Sequence, residues 1–218
     1  EYIHDIREYF DKTPWRKNYE SIRYCTHSLG PLLRLIDEDL EWVSCFDTGS
    51  HINRQEGQHD AMTAIFRTRS NVVVRLLTSF INNYPAWGHA YRVYGTKGYF
   101  ERGRGCEGMG KAKTLYYSTE CHDKKALHEI PVGETPLESG GEAADEHGGV
   151  DHALLKLFFT AIRDGAPSPI PLREALRMTI PGIAAAESAR LGGRLIRIRY
   201  PWSDSTGEGE GAAGGNKI

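Results

Sequence analysis

The chain has 218 residues, 39% of them hydrophobic and 26% charged, and 27 Lys and Arg stand against 29 Asp and Glu for a formal net charge of -2. That is enough apolar material for one large globular domain with a real core, and Arg67, Arg69, Arg75, Arg92, Arg102 and Arg104 are interspersed with acids rather than gathered into the basic patch a nucleic-acid binder needs. No apolar run approaches bilayer length and no basic-then-apolar leader opens the sequence, so the reading expects no nucleic acid, no membrane and a cytoplasmic location.

Glu1 to His4 reads as the middle of a strand, and with no opening methionine the sequence is expected to be a fragment. Asp11 to Ser21, polar and aromatic with Pro14, Trp15, Arg16 and Lys17, reads as a loop leading into a helix at Tyr24. The stretch Tyr24-Cys25-Thr26-His27-Ser28-Leu29-Gly30-Pro31-Leu32-Leu33 then sets titratable and hydroxyl groups beside an apolar run. Leu29, Leu32, Leu33, Leu35 and Ile36 carry the three-and-four spacing of a helix packed on a core. Tyr24 and His27 are three apart and would share one helical face, so a phenol and an imidazole could converge on one small ligand. The competing reading makes them capping or packing groups.

From Glu41 the period changes to two. Trp42, Ser44 and Phe46 alternate with Val43, Cys45 and Asp47, and Ala61, Thr63 and Ile65 with Met62, Ala64 and Phe66. Asn71 to Ile81 is a strand apolar on both faces, with Val72, Val74, Leu76, Thr78 and Phe80 opposite Val73, Arg75, Leu77, Ser79 and Ile81. Such a strand is covered on both sides, by helices on one and by another subunit on the other, which predicts a homo-oligomer. His89 to Glu101 reads as two strands joined at Gly95-Thr96-Lys97-Gly98, and Leu115–Thr119 and His128–Val132 as two more. Between them Gly103-Arg104-Gly105-Cys106-Glu107-Gly108 is formally GxGxxG. A dinucleotide fingerprint must open a helix, whereas these glycines lead into the strand-like Lys111–Ser118, so they are read as a hairpin loop.

Glu134 to Gly149 is a second loop, rich in Gly, Glu and Asp. Two helices follow. Val150–Asp164 carries Leu154, Leu157, Phe158 and Ile162 on a stripe beside Leu155 and Phe159, and Gly165 stops it. Pro171–Arg190 is expected to turn Leu172, Ala175, Leu176, Thr179, Ile183 and Ala186 inward, with Pro181 kinking it. Arg194–Tyr200 alternates again and closes the domain. The order implies an α+β fold: a large mixed or antiparallel sheet with helices on one face, over residues 1–202. Residues 203–218, mostly Gly, Ser, Glu and Ala, are too poor in apolar groups to fold and are expected to be a disordered tail.

Cys25, Cys45, Cys106 and Cys121 contain no CxxC pair, which predicts free thiols, and Cys25 is read as a buried space-filler rather than a nucleophile. His4, Asp5, His27, His51, His59 and Asp60 show no two-His ligand spacing, so no metal is expected. His147 and His152 flank Asp151 at a helix start and are read as capping or solvent-facing.

Gly95-Thr96-Lys97-Gly98, Gly149-Val150-Asp151, Phe158 through Gly165, Ala175-Leu176-Arg177-Met178-Thr179 and Ala186-Glu187-Ser188-Ala189, in that order, resemble the C-terminal substrate domain of the Gfo/Idh/MocA oxidoreductases. The resemblance implies a parent enzyme whose separate N-terminal Rossmann domain holds NAD or NADP, so that no cofactor-binding residue is expected in this chain. It also implies a sheet for subunit contacts and hydride-transfer chemistry on a sugar or polyol. His27 stands at the position of that family's histidine, but Arg23 stands where an aspartate is usual. Tyr2-x-His4-Asp5-x-Arg7 and Tyr24-x-Thr26-His27-x-Leu29-Gly30-Pro31 are similar to motifs of the NAD-dependent α-N-acetylgalactosaminidase branch, which oxidises, eliminates, hydrates and reduces its sugar instead of using two carboxylates. Carried over, Tyr24 and His27 are the acid/base pair, and Tyr2, His4, Arg7 and Arg23 are substrate contacts. Three functions follow: a sugar or polyol dehydrogenase, inactive as this fragment alone; a glycosidase of that branch; or a binding module that keeps the fold without chemistry.

Overall fold

The computed structural model describes residues 19–52, 59–81, 89–104, 113–130 and 150–203. They form a 3-10 turn at Ser21–Tyr24, helix α1 at Thr26–Leu35, and strands β1 Leu40–Asp47, β2 Ala61–Thr68, β3 Val73–Ser79, β4 Tyr91–Tyr94, β5 Gly98–Arg104, β6 Lys113–Ser118 and β7 His128–Ile130. Helices α2 Val150–Asp164 and α3 Leu172–Arg190 and strand β8 Ile196–Arg197 complete them. The chain is α+β, as expected, and its strands form two four-stranded sheets, ordered β3-β2-β1-β8 and β4-β5-β6-β7. Every pairing is antiparallel.

The core lies between the first sheet and helices α1 and α3. Register explains which residues enter it: Val43 pairs with Phe66 and Phe66 with Val74, Cys45 with Ala64 and Ala64 with Leu76, so one face presents all six to the helices. They are buried together with Ile22, Leu29, Leu33, Ala185 and Ala186. Alternation sends Phe46, Ile65, Val73 and Leu77 to the other face, where they remain exposed. The two apolar faces read in Asn71–Ile81 are therefore both real, and among the described residues only the inner one is covered.

The inward stripe of α3 differs from the sequence reading. Leu172, Thr179 and Ile183 point outward, and the buried residues are Arg177, Pro181, Gly182, Ala185, Ala186, Ser188 and Ala189. Close approach is the reason. A Cβ on Gly182 would lie 2.5 Å from Cys25 Sγ and 3.1 Å from the Ile22 carbonyl oxygen, so only small side chains fit that face and the bulky ones turn away. Arg177 ties the layers together. Its Nε donates to Asp39 Oδ1 at 2.7 Å, and Nη2 donates to the carbonyls of Glu38 and Ile36, the latter the cap residue of α1. Nη1 donates to Glu174 Oε1 at 3.2 Å, and these four carbonyl and carboxylate partners keep a nearly buried guanidinium satisfied.

Gly165, at φ 63°, ends α2 as the sequence predicts, with the Ala166 N–H bonded back to Ala161 O at 2.9 Å. The stripe on α2 is not covered by the described residues: Leu154, Leu155, Leu157, Phe158, Phe159 and Ile162 are each at least half exposed.

Candidate functional site

Tyr24 and His27 do come together, by a different route from the one expected. The helix does not run through Tyr24. Ser21–Tyr24 is a 3-10 turn and α1 starts at Thr26, with Cys25 at its N-cap. The turn is anchored from beneath, where the fully buried Thr78 hydroxyl donates to Ser21 Oγ at 3.2 Å and Ile22 is fully buried in the core. Tyr24 is thereby held at the edge of the core against buried Phe80, ring centroids 6.0 Å apart, and meets the exposed ring of His27 edge-on at 4.8 Å. An edge-to-face contact of this kind fixes both rings without burying their polar atoms.

The Gly30-Pro31 pair accounts for how α1 is seated. A Cβ on Gly30 would lie 3.3 Å from Met178 Sδ, so the glycine sets how near α1 lies to α3. Pro31 lies inside α1 and has no N–H to donate to the carbonyl of His27, four residues earlier. Tyr91 of β4 takes that place: its hydroxyl donates to His27 O at 2.6 Å. One hydrogen bond thus pins the first turn of α1 to the second sheet.

That pinning brings a residue to the site that the sequence reading did not single out. His89, just ahead of β4, has its ring centroid 4.9 Å from that of His27 and 6.5 Å from that of Tyr91. His89 and Tyr91 are two apart and share a face of an extended segment, but that spacing says nothing of His27.

Arg23 lies next to Tyr24, but its Nε is 2.9 Å from Glu20 Oε2, and Glu20, itself buried, also pairs with Arg190. Tyr2, His4 and Arg7 lie outside the described residues, as do the residues beyond Ser203 and the loop holding His147. Cys25 is fully buried with Sγ donating to Met178 O at 3.3 Å, as a space-filler should be. Cys25, Cys45 and Cys121 are free thiols, and Cys106 lies outside the described residues. Burial, with Asp47 nearby, pushes the Cys45 thiol up to about 12, far from a reactive thiolate. On β5, burial followed by the bond to Glu101 pushes the Tyr99 phenol up to about 12, so it serves as a donor to that carboxylate at 2.8 Å rather than as a base.

The other candidates are absorbed by local structure. His59 Nδ1 lies 3.0 Å from Asp47, while Asp60 accepts the backbone N–H groups of His51 and Ile52 at 2.7 and 2.8 Å, closing the β1–β2 connection. Among the described residues no group of three or more His, Cys, Asp or Glu could hold a metal ion. His152 is exposed in the first turn of α2. No described helix is long and apolar enough to cross a membrane. The formal GxGxxG starts at Gly103 in β5, which pairs antiparallel with β6, and the rest of it, read as a hairpin loop, lies outside the described residues. With every described strand pair antiparallel, the described residues supply no parallel strand-helix-strand unit to cradle a dinucleotide.

The sequence matches no family model and no curated protein. Its fold is found in solved structures. One is an oxidoreductase from Agrobacterium radiobacter in complex with NAD+, L-tartaric acid and magnesium, with TM-score 0.60, 15% identity, and coverage of 90% of this chain and 55% of the other. An inositol dehydrogenase homolog from Azotobacter vinelandii, complexed with NADH and myo-inositol, matches with TM-score 0.60, 12% identity and the same coverages. The aldose-aldose oxidoreductase of Caulobacter crescentus, complexed with glycerol, has TM-score 0.55, 15% identity, and coverage of 80% of this chain and 46% of its own. The chain spans about half the length of the structures it matches, and at these identities the likeness establishes the fold.

Proposed function

We propose that this chain is the substrate-binding half of an NAD- or NADP-dependent oxidoreductase acting on a sugar, polyol or sugar derivative. The nucleotide is held mainly by a dinucleotide-binding domain outside these residues. The observation that carries the reading is the convergence of Tyr24 and His27, rings 4.8 Å apart, at the edge of the core of a fold whose solved neighbours include an inositol dehydrogenase homolog and an aldose-aldose oxidoreductase. A bound nicotinamide supplies the hydride acceptor. The work of this chain is on the other half of the oxidation: as the alcohol carbon gives up its hydride, His27 takes the hydroxyl proton and a carbonyl remains. Tyr24 hydrogen-bonds the same oxygen and holds it toward the imidazole. Arg23, steadied by Glu20, and Tyr2, His4 and Arg7 extend the substrate contacts. Without the other half the chain is inactive.

The outer face of the first sheet, with Phe46, Ile65, Val73 and Leu77 exposed in one layer, supports assembly with a second copy. A glycosidase of the α-N-acetylgalactosaminidase type would use the same Tyr24 and His27, and the likeness of Tyr24-x-Thr26-His27-x-Leu29-Gly30-Pro31 to that branch keeps it as the second reading, while Arg23 in the usual aspartate's place leaves room for a binding module.

Both are tested in one assay. The complete protein, with NAD or NADP bound, is offered sugars, polyols and nitrophenyl glycosides alongside a His27→Ala variant. Cofactor reduction that falls by about 10²-fold or more in the variant is the expected result. Glycoside cleavage with no net cofactor change would move the assignment to the glycosidase. Silence on both, with cofactor bound, would leave a binding module.

A further inference from the structure

We propose that His89 is a substrate-positioning residue of this site, holding the hydroxyl next to the one that reaches His27. The proposal rests on the sugar or polyol reading above and deepens it. Three rings from three separate segments meet here: Tyr24 from the 3-10 turn, His27 from the first turn of α1 and His89 from the approach to β4. His27 is central, 4.8 Å from Tyr24 and 4.9 Å from His89, and its tilts of 75° and 53° to them mean that neither ring stacks on it face to face.

A neutral imidazole offers one donor and one acceptor, and its nitrogens reach hydroxyl oxygens at about 2.8 Å. Two imidazoles at this spacing, with a phenol also against His27, fall within reach of neighbouring hydroxyls on one sugar ring. A lone alcohol would need only His27 and Tyr24. The arrangement therefore selects for a vicinal diol. His89 is exposed, so its imidazole is open to a ligand.

Two features of the backbone fix that placement. The Tyr91 hydroxyl holds His27 O at 2.6 Å, setting the distance between α1 and the segment that carries His89. Opposite that segment, β5 has a register shift between Arg102 and Arg104, and Gly103 between them sits at φ 116°, where L side chains are strained. A Cβ there would lie 2.9 Å from Ala90 Cβ and 3.9 Å from the His89 carbonyl oxygen. The bulge glycine lets the His89–Ala90 backbone close onto β5.

The test uses the complete protein with its cofactor and the probes myo-inositol, levoglucosan, glucose and N-acetylglucosamine. For whichever probe the wild type oxidises, His89→Ala is expected to raise KM at least tenfold with kcat within threefold. His89→Asn, which keeps a donor and an acceptor, is expected to recover part of the loss, and Gly103→Ala to raise KM in the same direction. Saturating probe is also expected to shift the ring signals of both His27 and His89 in a histidine-selective NMR spectrum. KM unchanged within twofold in His89→Ala, or movement of the His27 signal alone, overturns the role of His89 and leaves the oxidoreductase standing. A wild type that reduces no cofactor with any probe overturns both.

Discussion

Pro31 withholds one hydrogen bond from α1 and so makes the His27 carbonyl available to Tyr91, whose hydroxyl sits 2.6 Å away. The exchange can be measured as a double-mutant cycle. Tyr91→Phe alone leaves that carbonyl without its donor and is expected to cost about 1 kcal/mol in urea unfolding. In a Pro31→Ala background the restored helical N–H takes the carbonyl, so the same Tyr91→Phe change is expected to cost a few tenths of that, a coupling of about 1 kcal/mol. Strict additivity would show that the weight of the Tyr91 contact does not depend on the helical bond Pro31 withholds. At this scale the sequence was half legible. Tyr24 and His27 are near neighbours, and helical spacing brought them together on paper even though the turn between them is 3-10 rather than α. His89 was not legible. Its approach to His27 depends on a contact between α1 and the second sheet, and local periodicity does not encode which loop ends up beside which helix.

Helix α3 shows what amphipathic counting misses at the scale of an element. Its Leu172 and Ile183 look like core residues and are exposed, because the face that meets the 3-10 turn has room only for Gly182 and alanines. Gly182→Ala is accordingly expected to destabilise the fold by about 1–3 kcal/mol, the usual range for overpacking. Adding Cys25→Ala should recover part of this in thermal unfolding, since it removes the Sγ contact but leaves the Ile22 carbonyl 3.1 Å from the new methyl. A neutral Gly182→Ala would mean that α3 stands further from the turn than described. Strands were read far more completely than helix faces. Period-two alternation maps onto inner and outer faces from Val43 to Phe46, along Ala61–Thr68 and from Val73 to Thr78, because a strand's side-chain period leaves only two choices; it breaks at the register shift between Leu40 and Trp42 and at buried Ser79. A helix can rotate through many, and small residues settle which one.

For the molecule as a whole, the first sheet buries one face under α1 and α3 and leaves Phe46, Ile65, Val73 and Leu77 on the other. Antiparallel sheets tolerate a solvated face when that face is polar. Here Arg67 and Arg75 share the layer with the four apolar side chains, and register sets Ile65 directly opposite Arg75 and Ser44 near its centre. If a second copy covers this layer, as proposed, a charge at its centre is desolvated on assembly without a partner and the assembly is lost. Ile65→Lys is therefore expected to convert the protein to a species of half the mass or less in sedimentation velocity. Its monomer stability should stay within about 0.5 kcal/mol, because the side chain already stands in solvent in the single chain. Ile65 and Met62 make the controls for each other: Met62 is buried on the inner face of the same strand, so Met62→Lys should unfold the domain outright. A wild type that sediments as a monomer at micromolar concentration would instead mean that the outer layer serves another partner or none, and the two-faced strand would then record only the composition of the sheet.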